Sequence, residues 1–180
     1  PIDNPGVARG TAVVHTYRSL LRKISFMACG LRNQYGLQPG DRVAFAMTNC
    51  PEAIEAMYAI WHAGLVAVPM NAKLHPLEFA FILQNSGAKL CFATPDLAEA
   101  IETARKEAPA VKAAIIPGAS DYRRLAIGDP IAMEPRRPTD PGWIFYTSGT
   151  TGRPKGAMLS HRSLMAMTLS YFTNVDDMPW

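Results

Sequence analysis

Apolar residues at Tyr17, Leu20, Leu21, Ile24, Ala28 and Leu31 recur at helical spacing, with Arg18, Arg22 and Lys23 between them. Apolar side chains every three or four positions line one face of a helix. The spacing therefore predicts an amphipathic helix of about five turns, capped by Thr16 and stopped near Gly36. Beyond the Pro39-Gly40-Asp41 turn the pattern changes. Residues 43–47, 65–69, 89–93 and 112–116 are short, nearly continuous apolar runs without strict alternation. A strand that is apolar on both sides suits a parallel sheet covered on both faces.

Helical patterns separate these runs. Asn49 is the expected cap of one helix, with Pro51 at its first position, Glu52 and Glu55 in its first turn, and an end near Ala63 and Gly64. Pro76 and Glu78 open a second, which carries Leu77, Phe79, Ala80, Ile82 and Leu83 and closes near Gly87. Thr94 and Pro95 open a third that runs to about Glu107. Residues 1–14 read as an opening segment with a short strand at 12–14. Residues 117–141, rich in Pro, Gly and Arg, read as an irregular connection with a short helix near 122–126. The regular alternation of strand and helix predicts an α/β fold: layered α/β/α with a mostly parallel sheet.

Next comes the stretch that carries candidate chemistry. Trp143, Ile144, Phe145 and Tyr146 form an apolar, strand-like approach to Thr147, Ser148, Gly149, Thr150, Thr151 and Gly152, followed by Arg153, Pro154, Lys155 and Gly156. Glycines let backbone N–H groups approach an anion, hydroxyls donate further hydrogen bonds, and the Lys adds a full positive charge. A polyphosphate fits that inventory. The spacing is not that of a Walker A loop, whose Lys and hydroxyl residue enter a helix. Here Pro154 and Gly156 flank Lys155, and a second short apolar run, Ala157, Met158 and Leu159, reads as a strand. Ser160 is then placed to cap a last helix carrying Leu164, Met167, Thr168 and Tyr171. Ligands of parallel α/β sheets bind beyond the carboxyl ends of the strands, where this loop would lie.

Composition narrows the alternatives. The chain has 180 residues, 48% hydrophobic and 18% charged, as expected of one globular domain with a core. A formal net charge of +3 is too small to argue for a nucleic-acid partner. The doublets Arg123-Arg124 and Arg136-Arg137 are expected to face solvent, as is Arg153. Cys29, Cys50 and Cys91 are an odd number at wide spacing, which points to small core residues in a reducing, cytoplasmic compartment rather than to disulfides. The histidines show no metal-ligand spacing. His62 reads as a hydrogen-bonded core residue and His161 as structural. The longest near-apolar run, 58–70, is interrupted by His62 and Pro69 and falls short of the ~20 residues of a membrane helix.

The string from Phe145 to Gly156 resembles the phosphate-loop motif of the adenylate-forming superfamily. That group includes acyl-CoA synthetases, the adenylation domains of non-ribosomal peptide synthetases, and beetle luciferases. Upstream, His15-Thr16-Tyr17-Arg18-Ser19-Leu20 resembles the family's opening T-Y-x-x-L segment, and Ala63-Gly64-Leu65-Val66-Ala67-Val68-Pro69-Met70-Asn71 its A-G-x-x-x-V-P-x-(N/D) segment. The resemblance spans almost the whole chain. It implies that residues 1–180 are the N-terminal portion of the large AMP-binding domain. It further implies ATP-dependent activation of a carboxylic acid to an acyl-adenylate, followed by transfer to coenzyme A. By resemblance, Thr147, Ser148, Gly149, Thr150, Thr151 and Gly152 would wrap the β- and γ-phosphates. Lys155 would supply charge at the loop's far end, and Thr147 would help to hold Mg²⁺. Lys155 and Thr147 are the expected catalytic pair.

Within the superfamily the tail Met158-Leu159-Ser160-His161-Arg162 resembles fatty-acid or aromatic-acid CoA ligases. A peptide-synthetase adenylation domain, a luciferase-like oxidase and a non-catalytic nucleotide-binding module are the alternatives. The family's adenine-stacking segment, its Y-G-x-T-E segment, the acidic residue that holds the ribose and the C-terminal domain with its catalytic Lys have no counterpart in this sequence. The expectation follows that residues 1–180 alone do not catalyse adenylation and need the C-terminal part of the same protein.

Overall fold

A computed structural model describes residues 1–147 and 154–174. In chain order the elements are β1 (Pro5–Arg9), β2 (Ala12–Thr16), α1 (Tyr17–Asn33), β3 (Arg42–Ala46), α2 (Pro51–His62), β4 (Val66–Met70), α3 (Pro76–Ser86), β5 (Ala88–Ala93), α4 (Ala98–Lys106), β6 (Ala114–Ile115), α5 (Ser120–Arg124), β7 (Pro141–Thr147), β8 (Lys155–Ser160) and α6 (His161–Asn174). Strands β3 to β8 form one sheet in the order β6-β5-β3-β4-β7-β8, while β1 and β2 pair separately as an antiparallel ribbon. Every pairing from β6 to β7 is parallel, and only β7 with β8 is antiparallel. The layered, mostly parallel α/β expectation holds.

The continuous apolar runs are explained by burial on both faces. Val43, Ala67, Leu90, Phe92 and Ile115 meet Ile24, Met27, Leu31, Ala59 and Ile60 of α1 and α2. Their strand neighbours Ala44, Ala46, Val68, Cys91 and Ala93 turn the other way, onto Phe79, Ile82, Leu83, Ile101 and Ala104 of α3 and α4. Successive strand residues thus face opposite layers, and both layers demand an apolar side chain.

Local signals hold in part. Thr16 caps α1 in a reciprocal capping box with Ser19. At α2 the cap position is Cys50 rather than Asn49, without a side-chain hydrogen bond, so Pro51 alone marks the start. Thr94 opens a 3₁₀ turn, Pro95–Leu97, before α4. Its hydroxyl accepts a hydrogen bond from the Thr48 amide at 3.3 Å instead of capping. The opening segment contains a full hairpin, because β1 pairs with the strand at Ala12–Thr16. Cys29 and Cys91 are buried and Cys50 half-buried, and all three thiols are free. Burial pushes the Cys91 thiol up to about 12, which leaves it neutral and inert.

Residues 117–141 are largely irregular, yet closely fitted over α1 and α2. Tyr122 and Leu125 enter the core beside those helices. A Cβ at Gly30 would lie 2.6 Å from Leu125 Cα, so only a glycine admits the segment there. Gly64, at φ +73°, sits against Glu134 in the same way. His62 donates from Nε2 to the Ile131 carbonyl at 2.8 Å, and the Glu134 amide donates to the His62 carbonyl at 2.9 Å. His62 is the hydrogen-bonded core residue expected. Arg32 pairs with Glu134 at 3.2 Å and closes the same contact.

Glu55 departs from its expected place: α2 starts at Pro51, so only Glu52 falls in the first turn, while Glu55 lies a turn further on and is buried at 5% exposure. Its carboxylate accepts from the Tyr122 hydroxyl at 2.6 Å and bonds the His15 ring at 2.8 Å, with the Lys23 ammonium 3.9 Å away. One acid therefore ties β2, α1, α2 and α5 together. A buried carboxylate is tolerated only when its lone pairs are used, and removing it leaves its partners unsatisfied. Glu55→Ala is expected to lower the unfolding free energy by about 2–4 kcal/mol and Tyr122→Phe by about 1–2 kcal/mol, with the double variant less than additive. Urea denaturation checks this, and an effect of Glu55→Ala no larger than that of a surface substitution contradicts it.

Candidate functional site

Strands β7 and β8 form a hairpin on the edge of the sheet, with residues 148–154 between them in sequence. The register sets Thr147 opposite Lys155 and Tyr146 opposite Gly156. Because β7 runs parallel to β4, the tip stands at the carboxyl ends of the parallel strands. Both Thr147 and Lys155 are exposed. The structure therefore brings these two candidates together across one pair of a ladder. Ser148, Gly149, Thr150, Thr151 and Gly152 lie outside the described residues, as does Arg153.

The hairpin's base is fastened on the α2 side. Trp61 donates from Nε1 to the Gly142 carbonyl at 2.7 Å, and its ring packs on Trp143 at 5.4 Å between centroids. The His161 imidazole rests on Gly142, where a Cβ would approach within 3.1 Å of the ring. The His161 amide donates to the Asp140 carbonyl, and the Arg162 amide to that of Pro138. Ser160 accepts from the Ser163 amide at 3.2 Å and caps α6 as expected. Arg136 departs from the solvent-facing expectation. It is half-buried, paired with Asp140 at 3.2 Å, and its Nε has no partner among the described residues.

On the opposite face the tip is held by Tyr146. Its hydroxyl donates to Asn85 Oδ1 of α3 at 2.7 Å, and burial raises its pKa above the usual phenol value. A Cβ added at Gly156 would lie 3.0 Å from Tyr146 Cζ and 3.0 Å from Ile144 Cγ2. Gly156 is therefore small for packing reasons, beneath the ring of its cross-strand partner. Asn85, Trp61 and Gly142 were not legible as site residues. Each is an ordinary helix or strand residue until the hairpin's neighbours are known.

A cavity of about 910 Å³ opens between α6, residues 133–138 and helices α1 and α2. Its lining among the described residues includes Leu21, Tyr58, Trp61, Arg136, His161 and Met165. Helix α6 leaves Met165, Met167, Leu169, Tyr171 and Phe172 exposed. Thr147 and Lys155, cross-strand partners at the tip, do not line this cavity.

Two outcomes test this geometry. Gly156→Ala forces its new methyl against the Tyr146 ring, and thermal unfolding should report a loss of about 1–3 kcal/mol. A neutral effect would mean that the ring has room to spare. The second concerns His161, whose pKa is held below the ordinary 6.5, first by burial and then by Arg136, against a smaller opposing pull from Asp140. The unfolded chain then binds a proton more readily than the folded one, so stability is full above about pH 7 and falls as pH drops through 6.5. His161→Gln should flatten the dependence of Tm between about pH 7.5 and about pH 5.5, and an unchanged slope contradicts the assignment.

Comparison with known proteins now adds to the geometry. Residues 3–179 match the model of a family described as AMP-binding enzyme. A feruloyl-CoA synthase of Amycolatopsis is 38% identical over 161 residues, covering 86% of this chain and 30% of that protein. A long-chain fatty acid–CoA ligase of Mycobacterium tuberculosis, FadD13, is 37% identical over 145 residues, covering 78% of this chain and 29% of that protein. Among solved structures, the inhibitor-bound N-terminal domain of FACL13 from the same organism superposes with a TM-score of 0.80 at 32% identity, covering 89% of this chain and 41% of that one. The chain spans about 30% of the length of the curated relatives it matches.

Proposed function

The chain belongs to the AMP-binding enzyme family, and on that premise we propose that its protein is an acid–thiol ligase that makes coenzyme A esters of aromatic or fatty acids. A carboxylate oxygen attacks the α-phosphorus of ATP, the bond to pyrophosphate breaks, and an acyl-adenylate forms. The thiolate of coenzyme A then attacks the acyl carbonyl and AMP leaves. Residues 1–180 are the N-terminal part of the adenylation domain. The observation that carries this reading is the hairpin register, which holds Thr147 and Lys155 opposite each other at the two ends of the Thr/Ser/Gly-rich loop. The relatives named as feruloyl-CoA synthase and long-chain fatty acid–CoA ligase support the choice of acids.

In this reading the loop residues Ser148, Gly149, Thr150, Thr151 and Gly152 donate hydrogen bonds to the β- and γ-phosphates. Lys155 offsets the charge that builds on pyrophosphate as it departs, which is the step that donors placed beforehand accelerate. Mg²⁺ arrives with the nucleotide. Among the described residues no three His, Cys, Asp or Glu converge on a common point. An ion that keeps its waters and the phosphate oxygens needs only one or two protein oxygens, and the exposed Thr147 hydroxyl suits that role.

The test uses the protein at its full natural length. Carboxylate-dependent ATP–pyrophosphate exchange and coenzyme A ester formation should appear with aromatic or fatty acids from a panel, and residues 1–180 alone should show neither. Lys155→Ala should lower exchange by about 10²–10³-fold and Thr147→Ala by at least about tenfold, with Thr147→Ser largely restoring it. No exchange with any acid by the folded full-length protein would falsify the reading.

A further inference from the structure

Taking the nucleotide reading of the tip as its premise, we infer that Asn85 and Tyr146 form a positioning strut that sets the height of the loop's base over the sheet and so tunes the binding of MgATP. Strand β7 pairs with β4 at Ala67 and Trp143, near its start. Toward its end, among the described residues, the register pairs the strand with β8, itself the edge of the sheet. The last residues before the loop therefore depend on side chains for their position. On the α3 side that side chain is Tyr146, whose hydroxyl reaches Asn85 Oδ1 at 2.7 Å.

Both ends of the strut are anchored. Asn85 sits in the last turn of α3, which Gly87 closes at φ +63°. Arg42 of β3, at the centre of the sheet, donates from Nε to the Ser86 carbonyl at 2.8 Å and from Nη2 to that of Gly87 at 3.0 Å. The end of α3 is thus tied to the sheet's central strand. At the other end the Tyr146 ring covers Gly156, so it touches both strands of the hairpin one residue below Thr147 and Lys155. A shift of the ring moves both ends of the loop together. The Tyr146–Asn85 bond is exposed and adds little to the stability of the fold. Its consequence is positional, and a phosphate cradle is sensitive to sub-ångström placement of its donors.

The experiment compares full-length wild type with Tyr146→Phe, Asn85→Ala and the double variant. Calorimetry reads MgATP binding, steady-state kinetics read KM for ATP and for the acid, and thermal melting reads stability. Each single variant should weaken MgATP binding about three- to tenfold, the worth of one net hydrogen bond. KM for the acid should stay within about twofold and Tm within about 2 °C, and the double variant should bind MgATP no worse than the singles. Wild-type affinity in the single variants, an additive double variant, or KM values for ATP and acid that rise in parallel would each overturn the strut. Failure of the underlying nucleotide reading looks different: wild type itself then binds no MgATP, and the strut falls with it.

Discussion

The strand that leads to the loop has little backbone support where it most needs it. Strand β7 joins the parallel sheet beside Trp143, and β8 beyond it is an edge. A hairpin at a sheet edge is free to twist and slide unless something outside the ladder holds it. Here the restraint comes from side chains on both faces. Trp61 holds the Gly142 carbonyl and packs on Trp143 at the base, and Tyr146 reaches Asn85 near the tip. The rest of the molecule can be read as support for these anchors. Helix α2 must be rigid to present Trp61, and Glu55 ties α2 to its neighbours. Helix α3 must be rigid to present Asn85, and Arg42 ties its end to the central strand.

This dependence explains what the sequence showed and what it hid. The parallel sheet was legible because runs such as Val43 to Ala46 are apolar on both faces, and only a doubly covered strand needs that. The helices were legible because Thr16 and Ser160 cap in the ordinary way and Gly87 stops α3. The errors came where tertiary partners overrule local preference. Glu55 was placed at a helix N-terminus, but it lies a turn into α2, and Tyr122, 67 residues away in sequence, takes its carboxylate inside. Arg136 looks like half of a solvated doublet, yet it pairs with Asp140 and lines the cavity beside α6. Residues 117–141 look like a slack connection because Pro and Gly give no period, while their fit depends on Gly30 and Gly64 in other elements. At the site, the motif exposed Thr147 and Lys155 but not what supports them, since Asn85 and Trp61 have no local signature.

The hairpin also decides where positive charge can come from. In a strand–loop–helix phosphate site, the helix N-terminus contributes its amides and partial charge directly to the anion. Here a strand follows the loop, and the next helix, α6, begins at His161, at the opposite end of the six-residue β8. At about 3.4 Å per residue that places the helix start about 20 Å from the tip, beyond the reach of its dipole. On the proposed reading, a polyphosphate at the tip therefore draws nothing from the helix that follows the loop. Backbone amides of the loop, the metal it carries and Lys155 meet its charge instead. That is a physical reason for a lysine at the first residue of β8, opposite the last of β7. From there its ammonium starts beside the loop, because the Thr147–Lys155 pair is the last described rung of the ladder. Gly156 follows for a separate reason: the ring that steadies the rung occupies the space a side chain would need. The Lys-Gly pair in the motif thus records two demands, one electrostatic and one steric, at consecutive positions of a single strand.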